Sequence, residues 1–474
     1  MEETVPVEPV CITSVSVEGL HGQFDVELPL RPGLNVIYGK NGRGKTTMLH
    51  LLANLLELDF MRFRYLQFRK VHVTTSSGDV VEINKNEDVN GIRILVNGAS
   101  TSYGEAGLSS LELTSLRQVL GGRATYLPAF RSVLERTKSD MPSSYYRMAG
   151  AKATHNFESI QKQEFDALRE VADSFGIRQL QEEAAAAAEK TNLCRQWFGS
   201  FVPIIRYPSI SDVEDALSEE WRRAQLEVTA REQRMFEETF VRVFRVSAGL
   251  DDRTTDVTNE GILQEISDLL EAQEKHSGGA DSREINQALL SSARQLSTMS
   301  LPSGGMNTSL LEVYREALFE RDRVRQDAFK KTREFELSVN KFLDRKSVSI
   351  GRLAGATRRP RTAVSVVTEG GNSYGLSALS SGERQIVTML YSASRTKFRS
   401  GMFLIDEPEL SLHIDWQRII LRELQRQAPD RQIIVCTHSP EVGADHFYNL
   451  QDFEPKPTQE RQGALFADED EEGV

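Results

Sequence analysis

Gly39-Lys40-Asn41-Gly42-Arg43-Gly44-Lys45-Thr46 follows the phosphate-loop spacing of Gly, four free residues and Gly-Lys-Thr. Upstream, Leu34–Tyr38 is an apolar run that reads as a buried strand. Downstream, Thr46–Leu56 reads as a helix, so the glycine loop lies between strand and helix, the context the motif requires. Gly39, Gly42 and Gly44 let the backbone approach an anion and aim its N–H groups at phosphate oxygens. The helix start adds its positive dipole end. In that chemistry Lys45 reaches the terminal phosphates of a nucleotide and the Thr46 hydroxyl enters the shell of Mg²⁺. The expected nucleotide-binding set is Gly39, Lys40, Asn41, Gly42, Arg43, Gly44, Lys45, Thr46 and Thr47.

Three segments far downstream complement this loop. Met402–Glu407 is an apolar strand ending in two carboxylates, where Asp406 can hold Mg²⁺ and Glu407 can position water. Leu379-Ser380-Ser381-Gly382-Glu383-Arg384-Gln385 opens a helix whose amides form a second anion-binding start. Ile433–Pro440 delivers His438 at a strand end, where imidazole can sense a phosphate or touch the attacking water. Taken singly each is ambiguous: apolar strands often end in acid, Ser-x-x-Glu is a common helix cap, and a lone histidine is usually structural. Together with the phosphate loop they form one set.

At 474 residues the chain exceeds a single core, and two or three units are expected. Charged residues make up 27% and the mean hydropathy is −0.39, with no apolar run long enough for a membrane helix. The N-terminus has neither the basic nor the apolar region of a secretory signal. Cys11, Cys194 and Cys436 are far apart and form neither a disulfide framework nor a zinc site, which suits a reducing cytoplasm. The net charge of −12 argues against a surface that coats nucleic acid.

Strands are predicted at Ile12–Val17, Phe24–Leu30, Lys70–Thr75, Val80–Asn84, Ile92–Val96 and Ala124–Leu127. Residues 1–149 are thus expected to form the N-terminal half of an α/β head. Residues 150–345 lose glycine and proline and read as a helical insertion. Two candidates of about 35 residues, near 212–246 and 309–343, would each span ~50 Å. Val213, Leu217, Ala224, Val228, Met235, Phe240 and Val243 line the first at helical spacing. A packed helical hairpin fits this pattern better than a strict coiled coil, with helices near 260–275 and 282–299 at its tip. Strand composition returns at 346–368. Residues 346–449 carry the remaining motifs as the C-terminal half of the head, and 450–474 read as an acidic, disordered tail. Arg62, Arg64, Arg69 and Lys70, and separately Arg352, Arg358, Arg359 and Arg361, are basic clusters that fit a DNA path, an acidic partner or plain solvated arginines. Tyr145, Tyr146 and Arg147 offer a stacking triplet of little specificity.

The order GKNGRGKT, LSSGERQ, FLIDEPELSLH, THSP resembles the ABC-type ATPase superfamily, in its soluble branch with RecF, Rad50, SMC and OLD proteins. The resemblance covers residues 11–130 and 346–447. It implies an α/β fold, a split P-loop ATPase head interrupted by a long helical insertion, with ATP and Mg²⁺ as cofactors. It also implies a homo-oligomer in which ATP is sandwiched between heads, Lys45 and Thr46 of one facing Ser380, Ser381, Gly382 and Glu383 of another. By the same resemblance Asp406 and Thr46 bind magnesium, Glu407 is the general base, Ser411 lies in the D-loop and His438 is the switch histidine.

Ser-Ser-Gly-Glu in place of Ser-Gly-Gly-Gln, and Glu409–His413 after the carboxylates, look like OLD-type ATPases and the ATPase subunits of anti-phage systems. No glutamine marks the Q-loop; Tyr126–Arg131 occupies its place. OLD proteins continue into a Toprim nuclease, whereas this chain runs only about 36 residues past His438, too short for such a domain. The resemblance therefore implies a stand-alone ATPase of a PARIS-type or Septu-type pair, controlling a separate effector and triggered by a phage protein or DNA. A RecF-like or SMC-like DNA-repair clamp is the alternative, and a transporter ATPase a remoter one.

Overall fold

A computed structural model describes residues 10–86, 91–103, 108–134, 152–171, 177–248, 259–274, 291, 308–351, 363–394 and 401–458. Along the chain, β1 (Ile12–Leu20), β2 (Phe24–Pro29) and β3 (Leu34–Tyr38) lead into α1 (Lys45–Glu57). Then follow β4 (Lys70–Thr75), β5 (Val80–Asn86), β6 (Gly91–Val96), β7 (Ala99–Tyr103), α2 (Ser110–Leu120), β8 (Ala124–Leu127), α3 (Arg131–Leu134), α4 (Lys152–Val171) and α5 (Ile177–Phe198). Next are α6 (Ile210–Ser247), α7 (Asn259–Glu274), α8 (Thr308–Asn340), β9 (Lys346–Ile350), β10 (Val364–Thr368) and β11 (Ser373–Tyr374). The chain continues through α9 (Ser381–Ser394), β12 (Met402–Asp406), α10 (Ile414–Gln427), β13 (Ile433–Thr437), α11 (Pro440–Gly443), β14 (Leu450–Asp452) and β15 (Lys456–Pro457).

Two compact units result: Met1–Val213 with Leu379–Val474, and Glu214–Ala378. In the first, a five-stranded sheet in the order β14-β3-β13-β12-β8 is parallel throughout. All five residues of β12 and of β13 are buried, as expected of parallel strands covered on both faces. α1 packs on this sheet. The other sheet, β15-β2-β1-β4-β5-β6-β7, is antiparallel, and β1, β4 and β6 alternate buried and more exposed positions as a half-buried sheet should. Gln432 joins the two sheets. Its side chain accepts from the Ile12 amide at 2.9 Å and donates to the carbonyls of Ile12 and Arg31 at 2.7 and 2.9 Å.

In the second unit, Ile262, Ile266 and Leu270 of α7 pack against Leu318 of α8. The strands β11-β10-β9 form a small antiparallel sheet. Val213, Leu217 and Val228 of the anticipated α6 stripe are buried, but Phe240 is 63% exposed, and Phe236 and Phe244 nearby are more exposed still. Helical spacing located the helix but not where its covering ends, because periodicity says nothing about a neighbour's length.

β14 and β15 lie within the stretch expected to be a disordered tail. Leu450–Asp452 pairs with β3 and Lys456–Pro457 with β2, so edge-strand hydrogen bonds order a segment whose composition is poor in apolar residues. The helix expected at 282–299, residues 145–147 and 459–474, and the cluster Arg352, Arg358, Arg359 and Arg361 lie outside the described residues, residue 291 excepted.

Candidate nucleotide site

The phosphate loop leaves the C-terminal end of β3 and enters α1. Gly42 has φ +77° and Gly44 φ +97°, values open to glycine at little cost. At Gly44 a Cβ would also come within 2.6 Å of Leu20 Cδ2, so this position requires glycine twice over. Lys45 is 6% exposed, and its ammonium donates to the carbonyls of Gly39 and Lys40 at 2.6 and 2.9 Å. The Thr47 hydroxyl lies 2.9 Å from His21 Nε2, in the turn between β1 and β2. Cation–π contact places the Arg43 guanidinium 6.0 Å from the Phe24 ring centroid.

β12 runs beside β13, which adjoins β3, and this order carries Asp406 to the loop. Thr46 Oγ1 donates to Asp406 Oδ2 at 2.9 Å across 360 residues of sequence. Asp406 is 1% exposed, and its Oδ1 is buried without a hydrogen-bond partner. Burial pushes the carboxyl up to about 6; the bond from Thr46 opposes the shift, and the Glu407 carboxylate adds to it. An orphaned carboxylate oxygen beside a threonine hydroxyl is an oxygen-donor pair suited to Mg²⁺. Among the described residues no group of three or more His, Cys, Asp and Glu forms a metal cage. Mg²⁺ bound here would therefore take most of its ligands from phosphate and water, its usual habit.

Past Asp406 the chain turns sharply. Glu407 has φ +48°, a left-handed conformation that costs a non-glycine residue about 1–3 kcal/mol and marks functional sites. Its carboxylate lies 3.5 Å from His438 Nδ1. Glu409 is close too, with Oε1 3.2 Å from the same nitrogen. That oxygen also accepts from Thr437 Oγ1 at 2.6 Å, the His438 amide at 2.9 Å and the Ser439 amide at 3.1 Å. Glu409 thus pins the histidine loop to the turn after β12. The sequence marks it only as a third acid two residues beyond the Asp406–Glu407 pair. Nδ1 is thus the ring nitrogen that faces both carboxylates.

Arg131 closes the segment Tyr126–Arg131 that occupies the place of a Q-loop. It is fully buried, and its guanidinium donates to the carbonyls of Asp406 (2.9 Å), Glu407 (2.8 Å), Pro408 (2.9 Å) and Pro128 (3.3 Å). A glutamine pattern could not have revealed it.

The signature segment caps α9. The Ser380 amide donates to Glu383 Oε2 at 2.8 Å, and the Glu383 amide reaches back to Ser380 Oγ at 3.4 Å, so the ordinary capping arrangement is present. A Cβ on Gly382 would come within 2.7 Å of the Ser411 carbonyl, so the absence of a side chain lets the signature lie against the D-loop of its own chain. Ser411 too is left-handed, at φ +61°. Of the first basic cluster, Arg62 is 3% exposed and bonded to Asp59 and the Ser200 carbonyl, and Lys70 pairs with Glu82. These two are internal or paired cations.

Residues 241–445 match the family described as AAA domain, putative AbiEii toxin, Type IV TA system. The Retron Vc95 probable ATPase of Vibrio cholerae serotype O1 biovar El Tor is 30% identical over 97 residues, covering 18% of this chain and 19% of that protein. The chain is also similar to the Smc head domain with an extended coiled coil from Pyrococcus furiosus, at 11% identity and a TM-score of 0.39 over 97% of this chain and 99% of that one. The recombination mediator protein RecF gives 12% identity and a TM-score of 0.33 over 92% and 94%. No helix among the described residues is long and apolar enough to cross a membrane.

Proposed function

We propose that this chain binds and hydrolyses ATP with Mg²⁺, as an ABC-type head split by a helical insertion. The carrying observation is the Thr46–Asp406 bond beside an orphaned Asp406 oxygen, with Glu407 and His438 adjacent. Lys45 exchanges its two carbonyl partners for the β- and γ-phosphates, and the amides of Gly42–Thr46 surround them. Thr46 and Asp406 would hold Mg²⁺, which supplies Lewis-acid polarisation of the phosphoryl oxygens. Glu407 accepts the proton of the attacking water. His438 turns Nδ1 toward its two carboxylate neighbours and presents Nε2 to the γ-phosphate.

Two such heads would pair around ATP, with Ser380–Glu383 and Ser411 of one completing the site of the other. Their adjacency at Gly382 supports a single continuous surface for that purpose. In this reading the pair serves an anti-phage defence system as a sensor and scaffold that holds or releases a separate effector, a Toprim-type nuclease. The family description and the retron relative's printed name support that setting.

The first test is Lys45→Ala, expected to weaken ATP binding by tenfold or more in a fluorescent-nucleotide titration; unchanged affinity would remove the phosphate-loop role. The second is Glu407→Gln, expected to keep ATP binding, lower turnover at least 100-fold and accumulate a paired species in light scattering. Turnover at the parent rate would show that Glu407 is not the base.

A further inference from the structure

We propose that Arg131 is a positioning residue for Glu407: its guanidinium clamps three successive carbonyls and so fixes the left-handed turn from which the Glu407 carboxylate projects. The inference rests on the ATPase reading above.

The chain must leave the sheet after Asp406, and it does so with the carbonyls of residues 406, 407 and 408 all directed at one buried cation. Buried carbonyls need donors, and Pro408 contributes no amide of its own to the turn. A planar guanidinium offers five N–H groups in a fixed fork, so one side chain satisfies all three at 2.8–2.9 Å. The middle carbonyl belongs to Glu407, whose φ of +48° persists only if its surroundings over-determine it. On the amide side the Glu407 N–H donates to the Cys436 carbonyl at 2.8 Å. The peptide units on both sides of its Cα are therefore held, one by β13 and one by Arg131. Arg131 is anchored in turn. Its neighbour Phe130 stacks on Phe198 at the end of α5, with centroids 3.9 Å apart and planes 17° from parallel. Arg131 acts on the reaction through the place it gives Glu407.

Arg131→Lys retains the charge but loses the fork, and Arg131→Gln retains an NH₂ donor without the charge. For both variants, kcat is expected to fall at least tenfold while affinity for a non-hydrolysed ATP analogue stays within about twofold. In a Glu407→Gln background, measured at high enzyme concentration, adding Arg131→Lys should produce no further loss, because the group being positioned is already gone. The proposal is overturned by kcat within twofold of the parent. Equal fold-losses in the two backgrounds overturn it too, as does a fall in nucleotide affinity that tracks kcat and would mark a purely structural role. Loss of turnover in Glu407→Gln with parental kcat in Arg131→Lys sinks the positioning role alone. Parental turnover in Glu407→Gln sinks the reading of Glu407 itself.

Discussion

His50 projects from α1 into the core, 4% exposed, with Nε2 2.9 Å from the Tyr126 hydroxyl and its ring edge-on to the Tyr126 ring. Burial pulls its pKa down to about 3 from 6.5. The folded protein therefore binds this proton less readily than the unfolded chain, and stability rises with pH between about 3 and 6.5. The contribution is fully present above pH 6.5 and is lost as pH falls through that window, at up to about 1.4 kcal/mol per unit. His50→Asn should flatten the dependence of melting temperature on pH between 6.5 and 4.5, measured by differential scanning fluorimetry; an unchanged slope would show that His50 does not drive it. At this scale the sequence revealed chemistry better than conformation. Lys45, Thr46 and Asp406 were legible from spacing, and the Thr46–Asp406 bond joins two of them. The left-handed backbones of Glu407 and Ser411 were not, because no residue type there announces a positive φ.

Between elements, the C-terminal end of α1 is tied down by a buried ionic network. Arg206 pairs with Glu57 of α1 at 2.7 Å and Glu164 of α4 at 2.8 Å, while Arg123, just before β8, reaches Glu57 at 3.3 Å. Burial works against the Arg206 charge, but the carboxylates of Glu164 and Glu57 outweigh it and hold the guanidinium above its usual range. Burial would push Glu57 up, and Arg206 overrides that as well. Arg206→Met would take this partner from Glu164 and leave Glu57 with Arg123, both carboxylates being 1–2% exposed. Removing one partner of such a network costs roughly 3–5 kcal/mol. Urea denaturation should show a loss of that order, and a change below 1 kcal/mol would mean that water reaches the carboxylates. α1, α6 and α8 were readable from apolar periodicity, and most strands from alternation. α2 was missed although Ser109 and Glu112 form a capping box, since only Leu116 and Leu120 of its residues are buried and the apolar stripe is faint. That Glu57, Glu164 and Arg206 meet could not be read at all, because charge spacing along a chain carries no information about distant pairing.

For the molecule as a whole, the informative feature is that β3 lies between β13 and β14. Motif order implied that the two ends of the chain meet, and Cys436 indeed approaches the Lys45 carbonyl across 391 residues. Which strand lies beside which was not implied, since several parallel orders bring Asp406 to Thr46. The arrangement has a consequence for biosynthesis. When β3 emerges from the ribosome, neither of its sheet neighbours exists yet. At roughly 5–20 residues per second they follow some 20–80 s later. Throughout that interval Leu34–Tyr38, a strand of buried residues but for its last, has no partner, and pairings of such high contact order form slowly even when the chain is complete. The phosphate loop is thus translated 360 residues before the carboxylate that its threonine meets, and a nascent chain of this protein calls for shielding of that strand until β13 and β14 have been made.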